Sequence, residues 1–242
     1  MKTLIIARHG NTFRPGETPT RVGAHTDLPL VEEERARGIG RYLLQVKGLK
    51  PTRILAAPLQ RTLNTARLAA EELGNPAPIT PDARFVEVDY GPDENRTEPE
   101  VMARLGRVAA EAQGQNPADL TPEQLEALGG AAIELWNTQA IVPRGWQVDV
   151  PGIIAAWQQL ASEVAEGETV LCVSSNGVIR FAPHITGDYV GFCAAHDIKV
   201  PTGGVCIFTS ADGGATWSCE EWGVKAFKKS QPTDTQLWIS RN

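Results

Sequence analysis

The chain has 242 residues, enough for one large domain or two small ones. Its net charge of −6 and pI near 5.3 argue against a nucleic acid as main partner, which calls for a basic surface, but leave room for a local basic pocket. No run approaches the length of a membrane span, and the four apolar residues before Arg8 are too few for a signal peptide.

Residues 3–7 (TLIIA) read as a buried strand, followed by a polar loop from Gly10 to Pro29. Residues 31–48 read as a helix, with Glu32, Glu33 and Glu34 favouring its amino end and Ile39, Tyr42, Leu43 and Val46 forming an apolar stripe. Gly38 and Gly40 weaken it. A second strand, 53–57 (RILAA), stops at Pro58, which could open the next helix. There Leu59, Leu63, Ala66, Ala70 and Leu73 bury one face, and Gly74-Asn75-Pro76 ends it.

The strand–helix alternation resumes at 152–166, an amphipathic helix through Ile153, Trp157, Leu160 and Val164. Strand 170–173 (VLCV) follows, then a helix start near Asn176. Residues 204–222 read as a hairpin turning at Asp212-Gly213-Gly214. The pattern predicts an α/β fold, a three-layer α/β/α sandwich around a mainly parallel sheet. Residues 92–148 interrupt it with helices, one opening on the capping box Thr121-Pro122-Glu123-Gln124. This segment is expected to be a lid on a single domain, with Trp136, Arg144 and Trp146 setting substrate choice. The tail from 225 to 242 is expected to wrap the surface.

Cys172, Cys193, Cys206 and Cys219 form no C-x-x-C pair. They are expected to be reduced, partly buried thiols of a cytoplasmic protein.

In open α/β sheets ligands bind at the carboxyl ends of the parallel strands. Three such ends here carry Arg8-His9-Gly10-Asn11, Pro58-Leu59-Gln60-Arg61 and Ser174-Ser175-Asn176-Gly177. As neighbours they would bring two guanidinium groups, an imidazole and a helix amino terminus to one volume, an anion site. A histidine there can attack phosphorus, and a carboxylic acid can protonate the leaving oxygen. Glu87, ending the apolar Phe85-Val86, is the best-placed acid. These residues also admit other readings. Arg8 and Arg61 could be surface ion-pair partners, and His9 a strand-end histidine. Asp89, Asp93 and Glu94 read best as a solvated acidic loop, with spacing that fits no standard metal site. His25 and His184 read as structural. No G-x-G-x-x-G follows the first strand, which excludes a dinucleotide-binding oxidoreductase.

Leu4 to Thr12 resembles the signature of the histidine phosphatase superfamily, the phosphoglycerate mutase-like proteins. So do Thr26 to Leu30, Ala57 to Ala66, Glu87 to Gly91 with Glu94, and Val170 to Arg180, all in family order. The resemblance implies that His9 is the nucleophile and Glu87 the proton donor. Arg8 and Arg61 would bind the phosphoryl group, with Asn11, Ser175 and Asn176 beside them. It also implies that the substrate is a small phosphorylated metabolite, with no metal or organic cofactor.

One position departs from that pattern. Ser175 stands where the family's second histidine is expected. A charge-assisted hydrogen bond contributes about 1.5–3 kcal/mol and a neutral one about 1, so the exchange predicts roughly a tenfold loss of rate. Ser175 and Asn176 together could replace the donor. His184 would lie about 12 Å along a helix begun at Asn176, too far unless Pro183 breaks the helix early. An incomplete pocket favours hydrolysis over mutase chemistry, with a phosphate-binding or regulatory protein as the alternative.

Overall fold

The computed structural model describes residues 1–74 and 78–229. Trp238, the end of the tail and Asn75-Pro76 lie outside them. The chain divides into two compact units. The first joins Met1–Arg14, Leu28–Glu87 and the chain from Pro151; the second joins Pro15–Asp27 and Val88–Val150.

The first unit is built on one six-stranded sheet: β1 (Lys2–Arg8), β2 (Arg53–Ala56), β3 (Ile79–Pro81), β4 (Thr169–Ser174), β5 (Gly204–Ser210) and β6 (Ser218–Lys225). Its order is β3-β2-β4-β1-β5-β6. The first four are parallel; β5 runs antiparallel to β1, and β6 antiparallel to β5. Both faces of the central strands are buried, as continuous apolar runs such as LIIA and VLCV require. Ile5, Ala7, Ile54, Ala56, Leu171 and Val173 line one face, packed with Ile39 and Leu43 of α1 (Glu34–Arg41) and its extension, and with Ala66 and Ala69 of α2 (Gln60–Glu72). The fold is a three-layer α/β/α sandwich.

Several boundaries differ from the sequence expectation. The first helix starts at Glu34 and widens into a π turn at Tyr42–Val46. Gly38 and Gly40 lower helix propensity but permit close packing: a methyl on Gly40 would collide with the Ala69 carbonyl of α2. Pro58 does not open α2, since Leu59 is still extended at the N-cap. Short β3 was not expected; only Ile79 of its three residues is a strongly apolar strand former. The hairpin of β5 and β6 turns at Asp212, whose carboxylate accepts from Thr216 and Ser210.

In the second unit α3 (Glu98–Ala112) packs on α4 (Pro122–Gln139). Both helices open on capping boxes, the expected one at Thr121 and another at Thr97. The acidic segment is not a solvated loop. Asp93 is fully buried, paired with Arg104 and accepting from the Trp146 indole at 2.7 Å. Glu94 accepts from the Thr26 hydroxyl at 2.6 Å and from the His25 amide. Trp146 meets Tyr90 and Trp136 edge to face, with Arg21 over its ring. Both tryptophans are therefore interior to this unit, contrary to the expectation that they select substrate.

After this unit the chain forms α5 (Val150–Glu163), the expected amphipathic helix. Its Trp157 is fully buried against Phe85, and the indole donates to the Val178 carbonyl at 2.9 Å.

Candidate active site

β1 and β4 are parallel neighbours in register, so Arg8 lies beside Ser174. The His9 amide continues the ladder onto the Ser174 carbonyl at 3.2 Å. On the other side of β4, the Ala57 amide reaches the Val173 carbonyl at 3.0 Å, which brings the segment before α2 to the same sheet end. The three predicted strand ends are thus adjacent.

His9 is 6 % exposed, and its Nδ1 lies 2.7 Å from the Gly10 carbonyl. A carbonyl can only accept, so Nδ1 carries the proton and Nε2 keeps its lone pair. Burial first, then the charges of Arg8 and Arg61, hold the imidazole well below its usual pKa despite the opposing Gly10 bond.

Arg61 is fully buried, which excludes the surface ion-pair reading. Thr65, one turn along α2, ties it to the segment that carries His9. The Thr65 hydroxyl donates to the Arg61 carbonyl at 2.7 Å and accepts from the Gly10 amide at 3.1 Å. Arg8 donates through Nη1 to the Val200 carbonyl at 2.7 Å.

Glu87 is 7 % exposed and accepts from the Gly177 amide at 3.3 Å, at the start of α6 (Asn176–Ile179). The Ser174 hydroxyl, bonded to the Phe85 carbonyl at 2.7 Å, anchors the segment that carries it. Ser175 is fully buried, and its hydroxyl has no hydrogen-bond partner among the described residues. Asn176 accepts through Oδ1 from the Val200 amide at 2.8 Å. Asn11 accepts through Oδ1 from the Thr202 hydroxyl at 2.5 Å.

The chain does leave α6 early, passing through a 3-10 turn at Ala182–Thr186. Even so, the His184 ring is stacked on Tyr189, with centroids 3.9 Å apart. Sequence reasoning missed Thr65, Val200, Thr202 and Gly203. The one visible signal was Thr202-Gly203-Gly204 at the start of β5, a tight backbone approach to the sheet end. Among the described residues no group of three His, Cys, Asp or Glu side chains could hold a metal ion.

Comparison with known proteins places this geometry in context. The chain is 31 % identical over 107 residues to the 2,3-bisphosphoglycerate-dependent phosphoglycerate mutase of Thermobifida fusca (strain YX), a match covering 44 % of this chain and 43 % of that protein. It thus spans less than half of that relative's length. Among solved structures it resembles Bacillus stearothermophilus YhfR, with TM-score 0.64 and 21 % identity over 93 % of this chain and 98 % of that one. A mycobacterial glucosyl-3-phosphoglycerate phosphatase with bound inorganic phosphate gives TM-score 0.63 and 18 % identity, over 94 % and 99 %. Phosphoglycerate mutase of Bacillus anthracis str. Sterne gives 0.65 and 17 %, over 95 % and 96 %. At these identities the structural likenesses speak to fold. The histidine phosphatase superfamily (branch 1) model matches residues 4–137, more than half of the sequence, and the chain belongs to that superfamily.

Proposed function

We propose that the protein is a phosphomonoester hydrolase acting on a small phosphorylated metabolite through a phosphohistidine at His9. The observation that carries this reading is the buried His9, its Nδ1 bonded to the Gly10 carbonyl, with buried Arg61 tied through Thr65 to the Gly10 amide beside it. Nε2 attacks phosphorus, the N–P bond forms and the P–O bond to the alcohol breaks. Glu87, as the carboxylic acid, gives its proton to the leaving oxygen. Water then attacks phosphorus and loses a proton to the Glu87 carboxylate, the N–P bond breaks, and His9 and the acid are regenerated. Arg8 and Arg61 carry the phosphoryl charge, and Asn11, Ser175 and Asn176 supply neutral donors.

Ser175 favours hydrolysis over mutase chemistry. A mutase must hold its phosphohistidine long enough to return the group, which calls for a fuller donor set than a neutral hydroxyl provides. The names of the relatives make phosphoglycerate esters the first substrates to screen. The four thiols are unpaired and burial raises Cys172 and Cys206, which suits a reducing compartment such as the cytoplasm. We also propose that the second unit acts as a lid. A second reading, a phosphate-binding regulatory protein, is favoured by one observation, the buried neutral hydroxyl of Ser175.

The test is phosphate release from p-nitrophenyl phosphate and a panel of phosphoglycerate esters, wild type beside His9→Ala. Release that disappears in the variant, with an acid-labile phosphoprotein trapped from wild type, supports the hydrolase. Saturable orthophosphate binding with no release supports the second reading.

A further inference from the structure

Residues 200–203, between α7 (Tyr189–Ala195) and β5, touch four of the candidate site residues. The Val200 carbonyl receives Arg8 Nη1, and the Val200 amide donates to Asn176 Oδ1. The Thr202 hydroxyl donates to Asn11 Oδ1. The Gly203 amide reaches the carbonyls of Arg8 and His9 at 3.1 and 3.0 Å. The segment is braced from behind by Arg35, which donates to the Thr202 carbonyl at 3.3 Å. Gly203 sits at φ +69°, and a Cβ there would lie 2.8 Å from the Arg35 Cβ.

The two asparagine contacts share one chemical consequence. A peptide N–H can only donate, so the group facing the Val200 amide must be the Asn176 oxygen. Its NH2 group is thereby left as a donor. A hydroxyl such as that of Thr202 can donate or accept, but its 2.5 Å separation from Asn11 suits an O–H···O bond and is shorter than an N–H···O bond allows, so here too the amide oxygen faces Thr202. Two side chains able to present either an acceptor or a donor are each held with the acceptor occupied.

We infer that Thr202 is a positioning residue, and that the 200–203 segment fixes Asn11 and Asn176 as oriented donors for phosphoryl oxygens, in place of the cationic donor absent at Ser175. The inference rests on the phosphoryl-binding reading of the site. An anion that accepts hydrogen bonds meets NH2 groups there and not the amide oxygens that would repel it. Preorganised neutral donors lose no energy to reorientation when charge develops on phosphorus. The Thr202 side chain acts through Asn11 and need not touch the substrate.

The experiment compares Thr202→Val, Thr202→Ser and Asn11→Asp with wild type. The readouts are orthovanadate and orthophosphate affinity by calorimetry, kcat and KM for p-nitrophenyl phosphate, and thermal melting. Thr202→Val should weaken vanadate binding and lower kcat about tenfold, leaving the shape of the pH profile unchanged; Thr202→Ser should recover most of both. Asn11→Asp keeps the oxygen that Thr202 holds but removes the donor, and should lose about a hundredfold. Wild-type vanadate affinity in either Thr202→Val or Asn11→Asp overturns the inference, as does a Thr202→Ser variant no better than Thr202→Val. If wild type binds orthophosphate without turnover, the affinities alone decide the matter, and only the hydrolase reading fails. If wild type binds neither anion, both readings fall together.

Discussion

The ends of β1 and β4 make an instructive pair. They are adjacent, parallel and built alike, a buried apolar strand running into a polar turn. At the end of β1 the groups are held by named partners: the His9 amide and Nδ1, the Gly10 amide and the Asn11 oxygen. At the end of β4 the Ser175 hydroxyl is buried without a partner among the described residues. A buried hydroxyl left unsatisfied costs about 1–3 kcal/mol, so the second end is the less settled of the two. One end has the His9 ring held in a single tautomer by the Gly10 carbonyl. The other holds a donor whose proton is free to turn toward whatever arrives. The difference teaches that two strand ends built alike can differ in how fully their polar groups are held: of the groups named, only the Ser175 hydroxyl lacks a partner among the described residues.

That contrast can be broken at the β1 end first. His9→Ala should abolish phosphate release, by at least about 10⁴-fold, since no other group replaces a covalent nucleophile; residual turnover near wild type would end the phosphohistidine reading. Arg61→Lys keeps the charge but loses the planar fork, and should cost roughly 10²–10³ in kcat/KM. A smaller loss would mean Arg61 supports the core more than the phosphate. Gly203→Ala forces a left-handed residue to carry a Cβ, at about 1–2 kcal/mol; thermal melting should report that loss, with a fall in activity as Arg8 and His9 lose their shared amide. The β4 end is tested by gain. Ser175→His should raise kcat up to about tenfold and add a basic limb to the pH profile, where the new imidazolium titrates. An unchanged or reduced rate would show that the surroundings of Ser175 are shaped for the hydroxyl.

The smallest effect is on stability against pH. The unfolded chain protonates His9 near the ordinary value of 6.5, the folded protein only well below it. Below pH 6.5 the unfolded state therefore holds more protons, so stability falls with acid until the folded value is reached and then levels off. His9→Asn should remove that slope in urea titrations between neutral and acidic pH. The same depressed value predicts that the acid limb of kcat/KM for wild type lies below 6.5.

Much of this was readable in the residues. The apolar run into Arg8-His9, the apolar spacing after Pro58 and the turn at Ser174 to Gly177 were enough to mark three strand ends that carry polar groups, because two-sided burial and 3.6-residue periodicity are local signals; that the strands are neighbours is a matter of sheet order, which local signals do not carry. Partners supplied from far along the chain were not readable. Nothing near Asn11 announces Thr202, and nothing near Gly10 announces Thr65. Asp93 looks solvated until Arg104 and Trp146 are seen closing on it. Trp136 and Trp146 suggested a binding surface because large aromatics mark both interiors and recognition sites, and composition cannot separate the two. The early end of α6 was visible only as Pro183, four residues beyond the break.

The position of β1 also has a bearing on how the molecule comes to exist. This strand lies between β4 and β5, so Thr3 pairs with Thr169 on one side and Thr209 on the other. During synthesis the segment bearing His9 leaves the ribosome long before either partner does. Contacts this distant in sequence slow folding and prolong the exposure of apolar strands. The run from Leu4 to Ala7 is thus an early aggregation hazard, to be shielded until β4 and β5 arrive, and the surroundings of His9 are assembled only after both have been made.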